Sequence, residues 1–311
     1  MIAKTTTLIL VLMLALAACG GDDATDTTLE PTDTTQPSGT TVSETTEPSS
    51  TAPATSTGGE ECAVENLELL SPGQLTVATG EPAFEPWVVN DDPASGEGFE
   101  AAVIYALAEE MGFTEDQVVW TRVGFDEAIA PGPKDFDLNI QQYSITEDRE
   151  QVVDFSVPYY VTQQALVAYG DSPVVEATTL EELKGYALGA QIGTTSLDYI
   201  EEIIQPDTPP AVYDTNANAK SALDAGQIDA IVFDLPTAYY ITAVEMPEAQ
   251  IVGALPASEE QADRFGIMMA NDSPLKPCVD AALEALRADG TLDALAEEWL
   301  TQEGDIPVLS Q

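Results

Sequence analysis

Residues 136–160 read FDLNIQQYSITEDREQVVDFSVPYY, and they open with Phe136–Ile140, in which apolar and polar residues alternate as is typical of a strand. Upstream, the strand-like run Leu75–Ala78 is followed by Ala101–Met111, whose apolar residues recur at helical spacing. Another strand-like run, Val118–Trp120, comes next. Because strands that alternate with helices are typical of sheets flanked by helices, the sequence predicts an α/β fold with parallel sheets.

The same alternation continues along the chain. Thr178–Thr179, followed by Glu181–Glu182, is a capping-box pattern, and Asp214–Asn216 opens a helix that should end near Gly226. The further strand-like runs are Ala165–Ala168, Ala187–Ala190, Ile228–Phe233 and Ile251–Leu255. Two final helices, expected to cover the first of two lobes, are indicated by Leu283, Leu286, Leu292, Leu295 and Trp299 on either side of Gly290.

The start of the chain has the features of an export signal. Lys4 precedes the apolar run Leu8–Ala18, which is too short to span a bilayer. The run ends in Leu16-Ala17-Ala18-Cys19, which resembles a bacterial lipobox, so we expect residues 1–18 to be a signal peptide and Cys19 to be acylated. The alternative is an ordinary signal peptide next to an incidental cysteine. Acylation predicts a protein held by lipid alone on the extracellular face of the cell membrane.

Residues 19–60 continue as a segment rich in Thr, Ser and Pro. It has no aromatic residue and no apolar periodicity, so it predicts a disordered tether. Residues 61–311 then provide enough chain for two lobes with their own cores.

Composition excludes several classes of function. The chain has 55 acidic and 9 basic residues, a net charge of −46, which excludes nucleic acid as a partner. It has no histidine, so a Ser-His-Asp triad, a Cys-His pair and a His-ligated zinc site are excluded, and we predict no catalytic residue, metal or cofactor. With Cys19 acylated, Cys62 and Cys278 remain as a pair in an oxidising compartment. We therefore predict a disulfide between them, two free thiols being the alternative.

The stretch quoted first also carries a resemblance. Ser144-Ile145-Thr146, Arg149, Asp154-Phe155-Ser156 and Pro158-Tyr159-Tyr160 resemble the motif of family 3 extracellular solute-binding proteins. The similarity extends from about Leu75 to Trp299 and includes Gly98-Phe99-Glu100, Gly193-Thr194-Thr195 and the run from Ile228 to Asp234.

That resemblance implies a monomeric receptor that captures an amino acid and passes it to the permease of an ABC importer. The implied fold is the type II periplasmic-binding-protein fold, with a mainly parallel sheet in each lobe and two crossing strands between the lobes. Lobe one would comprise residues 61–164 and 264–311, and lobe two would comprise residues 165–263.

The resemblance also assigns the ligand-binding residues. An α-amino acid carries a carboxylate, which suits a guanidinium, and an ammonium, which suits a carboxylate. Arg149 would hold the carboxylate and Asp234 the ammonium. The backbone amides of Gly193-Thr194-Thr195 would share the carboxylate at a helix start, where a routine N-cap is a compatible reading.

Several further contacts are implied by the same family pattern. Ser144 would donate its hydroxyl to the ligand carboxylate, and Gln142 would offer its backbone carbonyl to the ammonium. Phe84, in the loop Pro82–Trp87, would present an aromatic face to the ligand side chain, with Trp87 as a second candidate.

The chain departs from the family pattern at positions that bear on specificity. Ala102 stands where many members have a second acid, and Gln141, Gln142 and Tyr143 precede Ser144 where members have small residues. The ligand side chain therefore stays open. Two other functions also stay open: a periplasmic dehydratase-like enzyme on the same fold, and a ligand-sensing module that signals through a partner.

Overall fold

A computed structural model describes residues 59–258, 261–300 and 305–311. The predicted signal peptide, the acylation of Cys19 and nearly all of the predicted tether lie outside the described residues. The described residues belong to one compact unit. Among them, no helix has both the length and the apolar character needed to cross a bilayer.

The described strands form two five-stranded sheets and one two-stranded ribbon. In chain order they are β1 (Leu75–Thr79), β2 (Val118–Arg122), β3 (Leu138–Asn139), β4 (Val153–Phe155), β5 (Tyr160–Thr162), β6 (Gln164–Tyr169), β7 (Leu188–Gln191), β8 (Ala211–Tyr213), β9 (Ala230–Asp234), β10 (Ala249–Ala254), β11 (Asp263–Phe265) and β12 (Met268–Ala270).

Helices connect most of these strands. They are α1 (Phe99–Glu110), α2 (Phe125–Ile129), α3 (Glu147–Glu150), α4 (Leu180–Leu183), α5 (Thr195–Asp198), α6 (Asn216–Asp224), α7 (Leu235–Tyr240), α8 (Lys276–Ala288) and α9 (Thr291–Trp299). After α5 and α7 the chain continues as π-helical turns, Tyr199–Ile204 and Ile241–Glu245. Short 3₁₀ turns cover Glu60–Cys62, Val64–Asn66, Val89–Asp91, Pro93–Ser95, Glu115–Gln117 and Pro173–Glu176.

Each five-stranded sheet mixes parallel and antiparallel pairs. The first has the order β2-β1-β3-β12-β4, in which β1 runs parallel to β2 and β3, and β12 runs antiparallel to β3 and β4. The second has the order β10-β6-β9-β7-β8, with β7 parallel to β8 and β9, and β6 antiparallel to β9 and β10. The α/β class is confirmed, but the sheets are mixed rather than mainly parallel, because β6 and β12 follow the crossings between lobes and enter their sheets in reverse.

The first sheet is covered by α1, α8 and α9, as the apolar spacing predicted. Phe99, Ile104 and Leu107 of α1 are fully buried beside Leu283 of α8 and Leu292 of α9. The predicted disulfide is also present, because Cys62 is bonded to Cys278 of α8 with a Cα–Cα distance of 5.5 Å. This bond fastens the start of the described chain to the helix that returns to the first core.

The second lobe contains both helix starts that the sequence signalled. Thr179 Oγ1 accepts a hydrogen bond from Glu182 N at 3.2 Å, and the Glu182 carboxylate accepts from Thr179 N, which completes the predicted capping box at α4. Thr215 caps α6 by accepting from Asn218 N at 3.1 Å. The helix α6 ends just before Gly226, which has a φ of +64°. These starts form as predicted because the caps bond within the first helical turn.

The chain crosses between the two sheets through the ribbon of β5 and β11, which pair antiparallel. The last residues add a further connection. Leu309 N donates to Ala254 O at 2.9 Å, and Ser310 N donates to Thr178 O at 2.9 Å, so residues 307–310 lie along the β10 edge of the second sheet. Leu309 is buried in the second core. The prediction that the whole of 264–311 belongs to lobe one is therefore wrong for this tail, because Leu309 completes the other core and covers an edge strand.

Candidate functional site

A cavity of about 300 Å³ lies between the two sheets, and residues from both line it. From the first lobe come the segment after β1, the start of α2 and the segment before α3. From the second come the ends of β7, β8 and β9. Of the predicted ligand-binding residues, the lining contains Phe84, Gln142, Ser144, Arg149, Thr194, Thr195 and Asp234. Residues from distant parts of the sequence thus meet around one space.

Arg149 is a buried residue of the cavity lining and joins the two sides. It lies in α3, whose start is capped by Thr146, with Thr146 Oγ1 accepting from Arg149 N at 3.3 Å. Its Nη1 donates to Ser144 O at 2.6 Å, and its Nη2 donates to Gly193 O at 2.9 Å. The guanidinium carbon lies 5.6 Å from the ring centroid of Phe125. Burial lowers the pKa of Arg149, while Asp198 and other carboxylates act in the opposite direction.

Ser144 lies where β5 and β11 pass between the lobes. Its Oγ donates to Asp263 Oδ1 at 2.7 Å and lies 3.3 Å from Thr195 Oγ1, on the opposite side of the cavity. Gln164 Nε2 donates to the other Asp263 oxygen at 2.6 Å, and Ser196 Oγ donates to Gln164 Oε1 at 2.6 Å. No sequence signal marked Asp263, which accepts from Gln164 of β6 and takes the single hydroxyl proton of Ser144, so Ser144 does not hold that proton free for the predicted bond to a ligand carboxylate.

The Gly193-Thr194-Thr195 turn faces the first lobe. Thr194 is the N-cap of α5, because its Oγ1 accepts from Leu197 N at 3.3 Å and donates to Gln191 O at 2.7 Å. Gly193 has a φ of +70°, and a Cβ atom there would overlap Oδ1 of Asp126. A side chain at this position would therefore strain the turn and displace the exposed carboxylate of Asp126. The contact of its amides with a ligand carboxylate stays a prediction.

Asp234 ends β9 and caps α7. Its Oδ1 accepts from Thr237 N at 3.0 Å, and its Oδ2 accepts from Thr237 Oγ1 at 2.9 Å. Burial raises the pKa of Asp234 to about 6, an effect that these hydrogen bonds oppose. The carboxylate is thus held in place, borders the cavity and has no basic partner among the described ion pairs.

Trp87 does not line the cavity, contrary to the prediction. It is only 1% exposed and packs edge-on in the first core, with its ring centroid 6.0 Å from that of Phe99 and 5.7 Å from that of Phe265. Its indole Nε1 donates to Thr237 Oγ1 at 2.9 Å, which links the first core to the residue that holds Asp234. The indole is buried here because one large apolar ring fills the core while its single polar atom finds a partner.

Gln142 lines the cavity in a left-handed conformation, with a φ of +51°. Its backbone N donates to Glu100 Oε1 at 2.7 Å, and its side-chain amide donates to the other oxygen of Glu100. The Tyr159 hydroxyl also donates to Glu100. Burial raises the pKa of Glu100 to about 7. In the sequence, Glu100 belongs to the Gly98-Phe99-Glu100 motif and has no predicted contact. In the structure, its carboxylate accepts from Gln142 N and so fixes the Gln142 backbone.

The family model of the bacterial extracellular solute-binding proteins, family 3, matches residues 75–302. The chain belongs to this family. It is 29% identical over 221 residues to the L-cystine-binding protein TcyJ of Escherichia coli K12, covering 70% of this chain and 80% of that one. It is 28% identical over 231 residues to the ABC transporter arginine-binding protein 1 of the same organism, covering 73% and 89%.

Solved structures give the same result for this family 3 protein. An ancestral arginine-binding protein bound to arginine superposes with a TM-score of 0.61 at 30% identity, covering 74% of this chain and 99% of that one. An ancestral amino-acid-binding protein described as a precursor of cyclohexadienyl dehydratase gives 0.62 at 27% identity, covering 74% and 96%. The two-lobed type II fold is thereby confirmed.

Proposed function

We propose that this family 3 protein binds one amino acid in the cavity between its sheets and delivers it to an ABC importer. The observation that carries the proposal is that Arg149 and Asp234 border the same cavity of about 300 Å³. A guanidinium and a carboxylate facing one space match the two charges of an α-amino acid. The relatives named above differ in the amino acid they bind, so they support the ligand class and not its side chain.

Delivery would depend on closure of the lobes around the ligand. Contacts that cross the cleft among the described residues include Arg149 to Gly193 O, Ser144 to Thr195, Trp87 to Thr237, and the Tyr240 hydroxyl to Glu85 Oε2 at 2.7 Å. A zwitterion that bonds to both sides would stabilise the closed state by its differential contacts. The permease would then bind the closed form. Export and acylation of Cys19 would hold the protein beside that permease on the extracellular face of the membrane.

The enzyme alternative has less support. Asp234, the most buried of the acids that line the cleft, accepts two hydrogen bonds from Thr237 in its role as a helix cap. These bonds fix the carboxylate, and with a pKa of about 6 it is ionised at neutral pH, as a counterion to an ammonium must be. We therefore assign binding, and not turnover, to this cavity.

Thermal unfolding of residues 20–311, refolded to remove carried-over ligand, tests the proposal against the twenty amino acids and prephenate. A ligand present at one hundred times its Kd should raise the midpoint by about 5 to 10 °C. Arg149→Ala should abolish the rise, whereas Arg287→Ala, on an exposed part of α8, should keep it. A folded sample that responds to no amino acid would refute the proposal, and consumption of prephenate would favour the enzyme.

A further inference from the structure

The cavity has a strong excess of negative charge. Its lining contains one basic residue and five acidic residues, so the formal charge is 1 − 5, or −4. The basic residue is Arg149, and the acidic ones are Glu81, Asp126, Glu127, Asp214 and Asp234.

A zwitterionic ligand with a neutral side chain would match only part of this charge. Arg149 would pair with its carboxylate and Asp234 with its ammonium, which leaves the carboxylates of Glu81, Asp126, Glu127 and Asp214. None of these four takes part in an ion pair within the described residues. The guanidinium of Arg149 is already bonded to two backbone carbonyls. The remaining carboxylates therefore have no cation of the cavity left to balance them.

These four carboxylates come from both sides of the cleft. Glu81 follows β1, and Asp126 and Glu127 lie in α2, whereas Asp214 lies between β8 and α6 of the second lobe. Closing the cleft brings like charges towards each other and towards the ligand side chain. A positive side chain would reduce this repulsion, a neutral one would leave it, and a negative one would increase it.

We propose that the amino acid bound here has a positively charged side chain, an ammonium or a guanidinium, that faces Glu81, Asp126, Glu127 and Asp214. This inference rests on the proposed function, because it presumes that Arg149 and Asp234 hold the backbone groups of the ligand. It adds a specificity that neither the family pattern nor the two amides Gln141 and Gln142 provides.

The acidity of the whole chain offers a competing account of any cation preference. With 55 acidic and 9 basic residues, the protein attracts every cation through its long-range field. That field is screened by salt, and it changes little when one or two acids are replaced anywhere on the surface. Carboxylates inside the cavity act at short range, so only their replacement should change the choice between side chains of different charge.

Calorimetric titration of the full chain, stripped of ligand by unfolding and refolding, tests the inference with L-arginine, L-lysine, L-glutamine and L-glutamate at about 0.15 M and about 1 M salt. Arginine or lysine should bind at least about tenfold more tightly than glutamine at both salt concentrations, and glutamate should bind most weakly. The double variant Asp126→Asn/Asp214→Asn, which neutralises one exposed carboxylate on each side, should reduce the cation-to-glutamine affinity ratio by about tenfold.

The matched control is Glu284→Gln, an exposed acid of α8 outside the cavity, which should leave the ratio unchanged. If glutamine or glutamate binds as tightly as arginine and lysine, or if the double variant keeps the wild-type ratio, the charge inference is overturned and the proposed function stands. If none of the four binds, nor any other amino acid, the proposed function fails and the inference fails with it.

Discussion

Glu100 should make the protein less stable at pH 8 than at pH 5, and Glu100→Gln should remove that difference. The carboxyl is fully buried in α1 and accepts hydrogen bonds from Gln142 and Tyr159, but no basic side chain forms an ion pair with it among the described residues. Burial, reinforced by the charge of Asp234, raises its pKa from 4.5 to about 7. Ionisation is therefore more costly in the folded protein than in the unfolded chain.

The direction of the effect follows from proton linkage. Between pH 4.5 and pH 7 the folded state retains the Glu100 proton while the unfolded state loses it. Rising pH therefore favours unfolding over this range. Integrating the difference between the two pKa values from pH 5 to pH 8 gives a loss of about 2 to 3 kcal/mol in the free energy of unfolding. Glutamine stays neutral at every pH, so the variant lacks this contribution.

Urea unfolding of the wild type and of Glu100→Gln at pH 5 and pH 8 measures the effect. The change in unfolding free energy between the two pH values should be about 2 to 3 kcal/mol larger in the wild type. Taking the difference between the proteins cancels the titration of groups that both share. Glu109→Gln, an exposed position of the same helix, should behave as the wild type. Equal pH dependence in the wild type and Glu100→Gln would show that the Glu100 carboxyl ionises without a burial cost.

Two further outcomes follow from other parts of the structure. Burial raises the pKa of Asp234 to about 6, so the negative charge that would hold the ligand ammonium is lost as the pH falls through 6. The affinity for the ligand at pH 5 should therefore be about tenfold weaker than at pH 8. Titration calorimetry that gives the same Kd at both pH values would contradict this. Leu309→Ala should reduce the free energy of unfolding by about 2 to 5 kcal/mol, because the side chain is buried in the second core. The control Val308→Ala, at a position that is 60% exposed, should reduce it by less than about 0.5 kcal/mol. Equal urea midpoints for the two variants would refute the role of the tail.

Features that residue type, cysteine count or a family motif indicates were predictable. The capping box of Thr179 and Glu182 and the cap at Thr215 form within a single helical turn, so the residue types alone indicate them. Cys62 and Cys278 could be paired because Cys19 is the only other cysteine of the chain. Arg149 and Asp234 were chosen from a family motif, and the structure brings both to one cavity.

Contacts between distant segments were not predictable where neither segment carries a signal of the other. Asp263 bonds to Ser144, 119 residues earlier, and neither residue carries a local signal of the other. The tail was assigned to lobe one because the helices before it cover that core, but Ser310 instead bonds to Thr178, 132 residues earlier. A short apolar tail can complete either core, and the apolar pattern does not distinguish between them.

The position of Trp87 suggests that the proposed ligand binding and lobe closure would depend on the same groups. Sequence reasoning placed this ring beside the ligand, whereas it lies in the first core and donates to Thr237, 150 residues away in the second lobe. Thr237 in turn donates to Asp234, the proposed counterion of the ligand ammonium. Opening the cleft would break the bond from Trp87, and the Thr237 hydroxyl that orients Asp234 would then lose one of its two partners. The proposed ammonium contact would therefore be best organised in the closed form, and this would supply the differential affinity that a ligand needs to stabilise closure.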